Sequence, residues 1–191
     1  FASLEANADE YIWARRYSND LNIKNNANAY SVARATGFTK RFVDMYLMTD
    51  GTRFTDISGY DTLTYVAECA NRDPRMAQTI HTPGYIQKGA AKTAAVDLKQ
   101  TFTGYKYIKY VMESTYNTWD GSLVCLPIFR LGEVYLNYAE AKAELGTLTQ
   151  ADLDASVNVL RDRVSMPHLD LGAANASPDA YMEACYPNVE Q

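Results

Sequence analysis

Nucleophilic and metal-binding side chains are the first candidates for chemistry in this sequence. Three cysteines, Cys69, Cys125 and Cys185, show no CxxC spacing, and an odd number cannot form a closed set of disulfides. The two histidines, His81 and His168, belong to no HExxH motif, so we predict no zinc site and no other metal or cofactor site. Neither histidine lies in a recognisable frame for Ser-His-Asp or Cys-His catalysis, and we expect the cysteines to be buried free thiols.

Paired carboxylates are the remaining candidates for catalysis. Glu133 and Glu140 are two helical turns apart, which separates their Cα atoms by about 10 Å along one helix. A retaining glycosidase needs two carboxyl groups about 5 Å apart on opposite sides of the scissile bond. Parallel side chains on one helix do not enclose a sugar, so we interpret both residues as a solvated or partner-facing polar side. The sequence therefore predicts no enzyme activity.

Composition excludes several other classes of protein. The 191 residues are 47% hydrophobic and 21% charged, with a formal net charge of −5, which is typical of a globular rather than a disordered chain. No apolar run reaches the roughly 18 residues of a membrane span, and the mild acidity offers no basic surface to nucleic acid. Tyrosine is unusually frequent, with 15 residues, and its apolar ring with a hydroxyl suits either an unusual core or polar ligands.

The elements that must position such residues are short in the first half of the chain. Thr39 is suited to cap a helix, and Pro74 disfavours helical backbone at the residue before it. Asparagine-rich sequence is typical of turns and irregular segments. The patterns predict, in chain order, a strand over 10–18, a loop over 20–35, a short helix over 40–46, a helix around 63–70 and extended chain over 75–82.

Longer helices are predicted in the second half. Pro127 starts a helix-compatible stretch that Gly146 closes as a C-cap. Tyr135 and Tyr138 fall on the broad apolar side of this helix, so we expect them in the core. The patterns predict a surface loop over 83–100, a strand over 104–111, a polar loop over 113–122, helices over 127–145 and 150–163, and a last short helix from the cap at 177–179 to about 185. The fold class is therefore mainly α with short strands, built around an αα-hairpin.

One motif in the hairpin is specific. Leu131, Gly132 and Tyr135 have the L-G-x2-Y spacing of the first helix of a tetratricopeptide repeat, in a unit of about 34 residues. The stretch RLGEVYLNYAEAKAELG, followed by VNVLRDRVSMP, resembles the signature of the SusD/RagB family of outer-membrane nutrient-binding lipoproteins of Bacteroidetes. The upstream pieces FVDMYLMTDG, NRDPRM and GYKYIKY fit the same family in the same order.

The resemblance covers roughly residues 10–166 and implies a piece of a longer protein. Gly132 stands where the family more often has Ala, and the sequence shows neither the lipid-bearing N-terminal Cys nor further tetratricopeptide helix pairs. It also starts at Phe1 without a signal peptide. We therefore expect residues 1–191 to form one partial, central-to-C-terminal SusD-like domain, with its tetratricopeptide-like hairpin at about 127–165.

The resemblance also implies a role. Members of the family bind glycans or other nutrients at the cell surface, pass them to a SusC-like TonB-dependent transporter in the outer membrane, and as a class lack catalytic activity. It places this chain at the outer-membrane surface, held by a lipid anchor that residues 1–191 do not include. An alternative is a helical scaffold whose main role is to dock the transporter or another protein partner.

Glycan binding requires aromatic faces for the C–H faces of sugar rings and polar groups for their hydroxyls, on loops held by a rigid scaffold. The residues of this description are Tyr116, Asn117, Trp119 and Asp120 in the loop before the long helix, and Trp13 and Tyr17 near the first strand. Trp13 lies on a predicted strand, where a core role and a ligand role both remain open. The binding loops of the family share no motif, so these residues are candidates by type and position alone.

Overall fold

The computed structural model describes residues 9–189. These residues form short helices, one two-stranded sheet and the loops between them. The strands are β1 (Tyr11–Arg15) and β2 (Leu126–Arg130); the helices are α1 (Ala27–Ala33), α2 (Lys40–Asp44), α3 (Tyr65–Glu68), α4 (Pro74–Ala77), α5 (Leu131–Glu144), α6 (Gln150–Asp154), α7 (Val157–Asp162), α8 (Leu171–Ala176) and α9 (Ala180–Cys185). The predicted mainly helical class with short strands is confirmed. Within the described residues, no helix is both long enough and apolar enough to cross a bilayer.

The sheet joins the two halves of the chain. β1 and β2 pair antiparallel, with Trp13 opposite Phe129. The strand predicted over 10–18 is confirmed in its central part, but the prediction that the long helix starts at Pro127 is wrong. Residues 126–130 are extended because their backbone pairs with β1, and Pro127 is tolerated there because a two-stranded sheet consists only of edge strands. Helix α5 follows β2 directly, and the Leu131 N–H donates to the Glu10 carbonyl at 2.8 Å.

Helices α5, α6 and α7 contact one another after the turn at Gly146. Gly146 has φ +64°, a left-handed conformation that glycine adopts without the steric cost of a Cβ. The predicted single helix over 150–163 is interrupted at Ser156, whose backbone leaves the helical region at φ −135° and ψ −86°. A capping box between Thr149 and Asp152 starts α6. The last helix is capped by Asp179, two residues beyond the predicted Ser177.

Helix α5 exposes large apolar side chains. Tyr138 is 44% exposed and donates its hydroxyl proton to Asp152, so the prediction that it lies in the core is wrong, whereas Tyr135 is half-buried. Val134 and Leu136 are also about half exposed, at 46% and 51%. Helices α6 and α7 therefore cover less of α5 than the apolar pattern of the sequence indicates, and apolar side chains stay exposed on more than one side of the helix.

The core lies around the NRDPR motif. Val43, Met76, Ile80 and Tyr105 form its buried cluster. The prediction of extended chain over 75–82 is wrong for residues 75–77, which belong to α4. Pro74 occupies the first helical position, where proline favours the start of a helix. The Asp73 carboxylate caps α4 by accepting from the Arg75 backbone N–H at 2.9 Å.

Two other predictions fail for local reasons. The asparagine-rich loop over 20–35 contains helix α1, and the predicted strand over 104–111 forms only isolated bridges, at Lys106 with Gly37 and at Tyr107 with Ile80. Tyr110 has φ +70°, which ends any extended run at that residue.

Arg72 is the central cation of this core and is only 5% exposed. Its two terminal nitrogens donate to the backbone carbonyls of Val43 at 2.7 Å, Tyr46 at 2.8 Å and Glu68 at 2.9 Å. Its guanidinium also lies 3.6 Å from the centre of the Phe54 ring, a cation–π contact. One side chain therefore joins α2 to α3.

Two buried carboxylates surround the same core. Glu68 accepts from the Tyr105 hydroxyl at 2.9 Å and lies 3.3 Å from the Lys40 ammonium. Burial and the hydrogen bond to Glu68 raise the pKa of Tyr105 to about 12. Asp44 pairs with the same ammonium at 2.9 Å. Burial alone would lower the pKa of Lys40, but these carboxylates outweigh it and raise that pKa.

Replacing Asp73 by asparagine is expected to reduce the acid sensitivity of the fold. Burial acts to raise the pKa of Asp73, but hydrogen bonds from Arg75 outweigh it and hold that pKa below its usual value. A depressed folded-state pKa means that the carboxylate stabilises the fold above about pH 4, and that this contribution is lost as pH falls through the folded pKa. Asp73→Asn should lower the free energy of unfolding at pH 7 by about 1.5–3 kcal/mol. Between pH 5 and pH 3 the variant should lose less additional stability than the unmodified chain.

Urea unfolding at pH 7, 5, 4 and 3 measures both effects. The matched control is Asp50→Asn, because Asp50 is an exposed carboxylate whose lowered pKa depends on Thr52 instead of an arginine. We expect a smaller change in that variant at every pH. If the stability of Asp73→Asn falls with pH as much as that of the unmodified chain, the Asp73 carboxylate is not a source of the acid sensitivity.

Candidate functional site

Helix α1 and the loop over 113–122 meet although they are distant in sequence. Asn25 and Ser122 exchange two backbone hydrogen bonds, both of 3.0 Å, and the Asn25 side chain donates to the Val124 carbonyl at 3.0 Å. The Asn26 amide donates to Asp120 Oδ1 at 3.0 Å and accepts from the Asp120 backbone N–H at 2.5 Å. The asparagines that looked like loop formers in the sequence therefore connect two segments.

Asn28 makes the most buried of these connections, with no exposed surface. Its side chain donates to Asn117 Oδ1 and accepts from the Met112 backbone N–H. Gln87 supports the same point by donating to the Met112 carbonyl at 2.7 Å. We call the three side chains of Asn25, Asn26 and Asn28 the asparagine anchor, because together they hold the loop over 113–122 against α1.

An exposed pair of aromatic rings stands where the anchor joins the two segments. Tyr30, on α1, and Trp119, on the loop, have ring centres 5.3 Å apart and planes at 89°, the edge-to-face arrangement that aromatic quadrupoles favour. The two side chains are 48% and 49% exposed. Asp120, with φ +50°, turns the loop directly after Trp119. We call Tyr30 and Trp119 the aromatic corner.

Arg34, at the C-terminal end of α1, lies beside the aromatic corner. Its guanidinium carbon is 5.2 Å from the centre of the Trp119 ring and 5.9 Å from that of Tyr30. Both distances are near the long end of the range for a cation–π contact. The corner therefore combines two exposed rings with a positive charge that lies over them.

The structure brings together three of the predicted candidates, Trp119, Asn117 and Asp120, on one loop against α1. Asn117 Oδ1 is used internally by Asn28, and within residues 9–189 its amide N–H groups donate to no other residue. Tyr116 ends a 3-10 turn over Ser114–Tyr116 and is half-buried, and no ring contact between described residues joins it to Trp119.

Trp13 and Tyr17 lie elsewhere. Trp13 is 59% exposed on β1 and faces Phe129 across the sheet at 5.9 Å between ring centres, so it is not a core residue. Tyr17 is half-buried, with the guanidinium of Arg15 5.7 Å from its ring centre. None of the ring contacts among the described residues links either side chain to Tyr30 or Trp119. Trp13 and Phe129 therefore form a second, separate aromatic surface.

Sequence reasoning missed three of these residues, which are Tyr30, Arg34 and Phe129. Tyr30 and Arg34 are four residues apart and share one side of α1. That spacing was a usable signal, but the neighbouring asparagines favoured a loop at the same place. Phe129 was assigned to a helix, where it would not face Trp13.

A large cleft lies away from the aromatic corner, between the segment around α2 and the helical hairpin. Its volume is about 870 Å³, and both apolar and charged side chains line it, including Leu136, Leu160 and the cations Lys109, Arg130 and Arg163. Burial and the charges of the two arginines lower the pKa of Lys109. None of the predicted ligand-binding residues lines this cleft.

No group of three or more His, Cys, Asp or Glu side chains within residues 9–189 comes close enough to share a metal ion. Glu133 and Glu140 are exposed on α5, a helix whose main contacts are with α6, α7 and β2. The corner itself contains one carboxylate, that of Asp120. Its geometry suits non-covalent contact with a ligand that offers an apolar face and polar groups at its edge.

Comparisons with solved structures identify similar folds. One is a SusD-like carbohydrate-binding protein from Bacteroides fragilis, 24% identical, with a TM-score of 0.61 over 84% of this chain and 35% of that protein. Another is a SusD-like protein from the same species, also 24% identical, with a TM-score of 0.59 over 95% of this chain and 41% of that protein. The chain thus spans well under half the length of these two proteins.

At the level of sequence, the chain matches the model of a family. No curated protein sequence gives a significant match to this chain. The model of the SusD family matches residues 3–185, nearly the full length of the sequence. The fold similarity and the family match agree with the motif order in the sequence, and the chain belongs to the SusD family.

Proposed function

We propose that this chain is the part of a cell-surface protein that holds an oligosaccharide at the aromatic corner, without chemical change, for delivery to a SusC-like TonB-dependent transporter. The observation that carries the proposal is the pair of half-exposed rings, Tyr30 and Trp119, fixed at a right angle on backbone that the asparagine anchor holds. A ring held in place before the ligand arrives loses little conformational entropy on binding, which favours affinity.

The corner offers both kinds of contact that a sugar needs. The exposed ring surfaces can pack against the apolar C–H face of a sugar ring, while the amide N–H groups of Asn117 and the free carboxylate oxygen of Asp120 suit its hydroxyls. Asp120 Oδ1 accepts from Asn26, and within residues 9–189 its Oδ2 accepts from no residue. Because the polar groups stand on the same loop as Trp119, one sugar unit can reach both.

Binding without hydrolysis is supported by where the carboxylates lie. A retaining glycosidase needs two carboxyl groups about 5 Å apart around the bond to be cleaved. Near the corner, Glu113 is held by Lys88 at 2.9 Å, which leaves Asp120 as the carboxylate beside Trp119. We therefore propose a non-catalytic binding protein that a lipid anchor holds at the outer-membrane surface. Co-purification with a transporter from detergent-solubilised outer membranes tests the delivery step.

A second candidate function is docking of a protein partner. An apolar surface on α5, formed by Val134 and Tyr138 four residues apart and both more than 40% exposed, favours it. Surfaces of this kind mark contacts with another protein or another part of the same protein. A chain that binds no glycan but still co-purifies with a transporter would favour docking over glycan capture.

Trp119→Ala is expected to weaken glycan binding at least tenfold. Loss of an aromatic contact of this size costs about 1.4 kcal/mol or more when packing area and ring geometry are lost together. A panel of plant and host oligosaccharides, measured by affinity electrophoresis and then by calorimetry on the hits, supplies the ligand and the affinities.

Phe102→Ala is the matched control, because Phe102 is an aromatic side chain that is 94% exposed and has no ring partner among the described residues. We expect its affinity to equal that of the unmodified chain. The affinity of Trp13→Ala then tests whether the second aromatic surface, formed by Trp13 and Phe129, contributes to glycan binding. Unchanged affinity of Trp119→Ala for every bound glycan would place the site elsewhere.

A further inference from the structure

Arg34 gives the aromatic corner a charge that the neutral sugar contacts described above do not use. No hydrogen bond or ion pair between described residues uses its guanidinium; its side-chain contacts are the two rings of the corner. Such loose, exposed cation–π contacts are worth only about 0.5–1 kcal/mol. The five N–H donors of the guanidinium therefore remain available to a ligand lying on the rings.

The two carboxylates of the loop over 113–122 do not pair with this charge. Asp120 accepts from Asn26 and forms no ion pair with Arg34 within 4.0 Å, and Glu113 is already paired with Lys88. Arg53, by contrast, pairs with Asp179 at 3.2 Å. Within the described residues, no carboxylate lies within 4.0 Å of the Arg34 guanidinium, which lies over the two rings of the corner.

We propose that the corner selects an acidic glycan, whose uronate carboxylate or sulfate binds Arg34 while the sugar ring packs on Trp119 and Tyr30. This proposal rests on the proposed glycan-binding function. Arginine suits the task because its planar fork can bind both oxygens of a carboxylate at once. The guanidinium lies over both rings, 5.2 Å from the centre of Trp119 and 5.9 Å from that of Tyr30, so a sugar that packs beside it on the exposed ring surface can present an acidic substituent to the fork.

Matched pairs of tetrasaccharides that differ only at C6, one uronate and one neutral, test the proposal with the full chain. The pairs are galacturonate with galactose, glucuronate with glucose and mannuronate with mannose, measured by calorimetry in 50 mM and 500 mM NaCl. For at least one pair, the uronate should bind about tenfold more tightly than the neutral sugar at low salt. That preference should shrink at high salt, because the corner is exposed and its charges are screened.

Two variants assign the preference to Arg34. Arg34→Gln should lower the ratio of uronate to neutral affinity about tenfold, whereas Asp120→Asn should raise it, because it removes a repelling charge at a residue whose left-handed backbone asparagine tolerates. Arg41→Gln is the matched control: Arg41 is also exposed and also lies over an aromatic ring, that of Tyr186 at 5.8 Å, outside the corner. Its ratio should equal that of the unmodified chain.

The outcomes separate the two levels of the proposal. Binding of neutral and acidic members with equal affinity, or a ratio that Arg34→Gln leaves unchanged, overturns the acidic preference and leaves glycan binding standing. Failure of every tetrasaccharide, charged or neutral, to bind overturns both proposals.

Discussion

Arg72→Met is expected to lower the free energy of unfolding by about 3–5 kcal/mol, the range measured when one member of a buried charged network is removed. The methionine fills similar space but removes the guanidinium from the carbonyls of Val43, Tyr46 and Glu68. The Val43 carbonyl still accepts from the Tyr46 N–H at 3.2 Å, so the loss falls mainly on Tyr46 and Glu68. Those acceptors belong to the backbone and cannot be exchanged for apolar groups, so the penalty of unsatisfied buried polar atoms remains. Equilibrium urea unfolding, followed by circular dichroism at pH 7, measures the difference.

Two other variants test whether geometry or charge carries the effect. Arg72→Lys keeps the charge, but its single ammonium cannot reproduce the planar fork that spans three carbonyls, so we expect an intermediate loss. Arg41→Met removes an exposed arginine from the same region and should stay within about 0.5 kcal/mol of the unmodified chain. A loss below about 1 kcal/mol for Arg72→Met would show that water or a neighbouring group replaces the guanidinium.

Asn28→Ala is expected to reduce stability and glycan affinity together. It removes the donor to Asn117 and the acceptor for the Met112 N–H in a fully buried position. The Met112 N–H is left unsatisfied, which costs about 1–3 kcal/mol, while Gln87 still donates to Asn117 Oδ1 at 3.4 Å. The loop that carries Trp119 then loses its most buried connection to α1. Unfolding in urea measures the first effect, and calorimetry with a glycan that binds the unmodified chain measures the second.

The donor and the acceptor of the Asn28 amide can be tested separately. Asn28→Asp keeps an oxygen for the Met112 N–H but replaces the donor to Asn117 with a second acceptor, so affinity should fall even where part of the stability remains. Asn137→Ala is the matched control, because Asn137 is exposed on α5 and makes none of these bonds. Undiminished affinity in Asn28→Ala, under conditions where it is folded, would separate the anchor from the binding site.

Elements with strong local signals could be predicted from the sequence. Thr39 caps α2 by accepting from the Phe42 N–H, as its position before the helical stretch indicates. Gly146 ends α5 with a positive φ, the conformation for which glycine is expected after the last turn of a helix. In these cases the deciding contacts lie within one turn of the chain, so short-range patterns contain the information.

Other elements depend on partners far along the chain. Residues 127–130 have a helix-compatible sequence, and pairing with β1 decides their extended conformation. Helix α1 lies in an asparagine-rich stretch whose side chains bond to residues about 90 positions away. The asparagines predicted an irregular segment, but a single sequence does not show which distant residues their side chains bond.

The candidate site could be predicted only in part, because it also combines residues of one loop with residues distant in sequence. Trp119, Asn117 and Asp120 share one loop, and residue type was enough to select them. Tyr30 and Arg34 join them only through the tertiary contact of α1 with that loop. Trp13 was selected by type as well, but its neighbour Phe129 lies on the other strand of the sheet.

The sequence separation across the asparagine anchor has a consequence for folding. Asn26 and Asp120 are 94 residues apart, so their bonds close a long loop and form only when much of the intervening chain is in place. A partly folded chain can contain the hairpin of α5, α6 and α7, whose contacts with one another are local in sequence, and still present no aromatic corner. Retention of a glycan therefore reports on the complete tertiary fold, and binding should disappear in the same denaturant transition that unfolds the core.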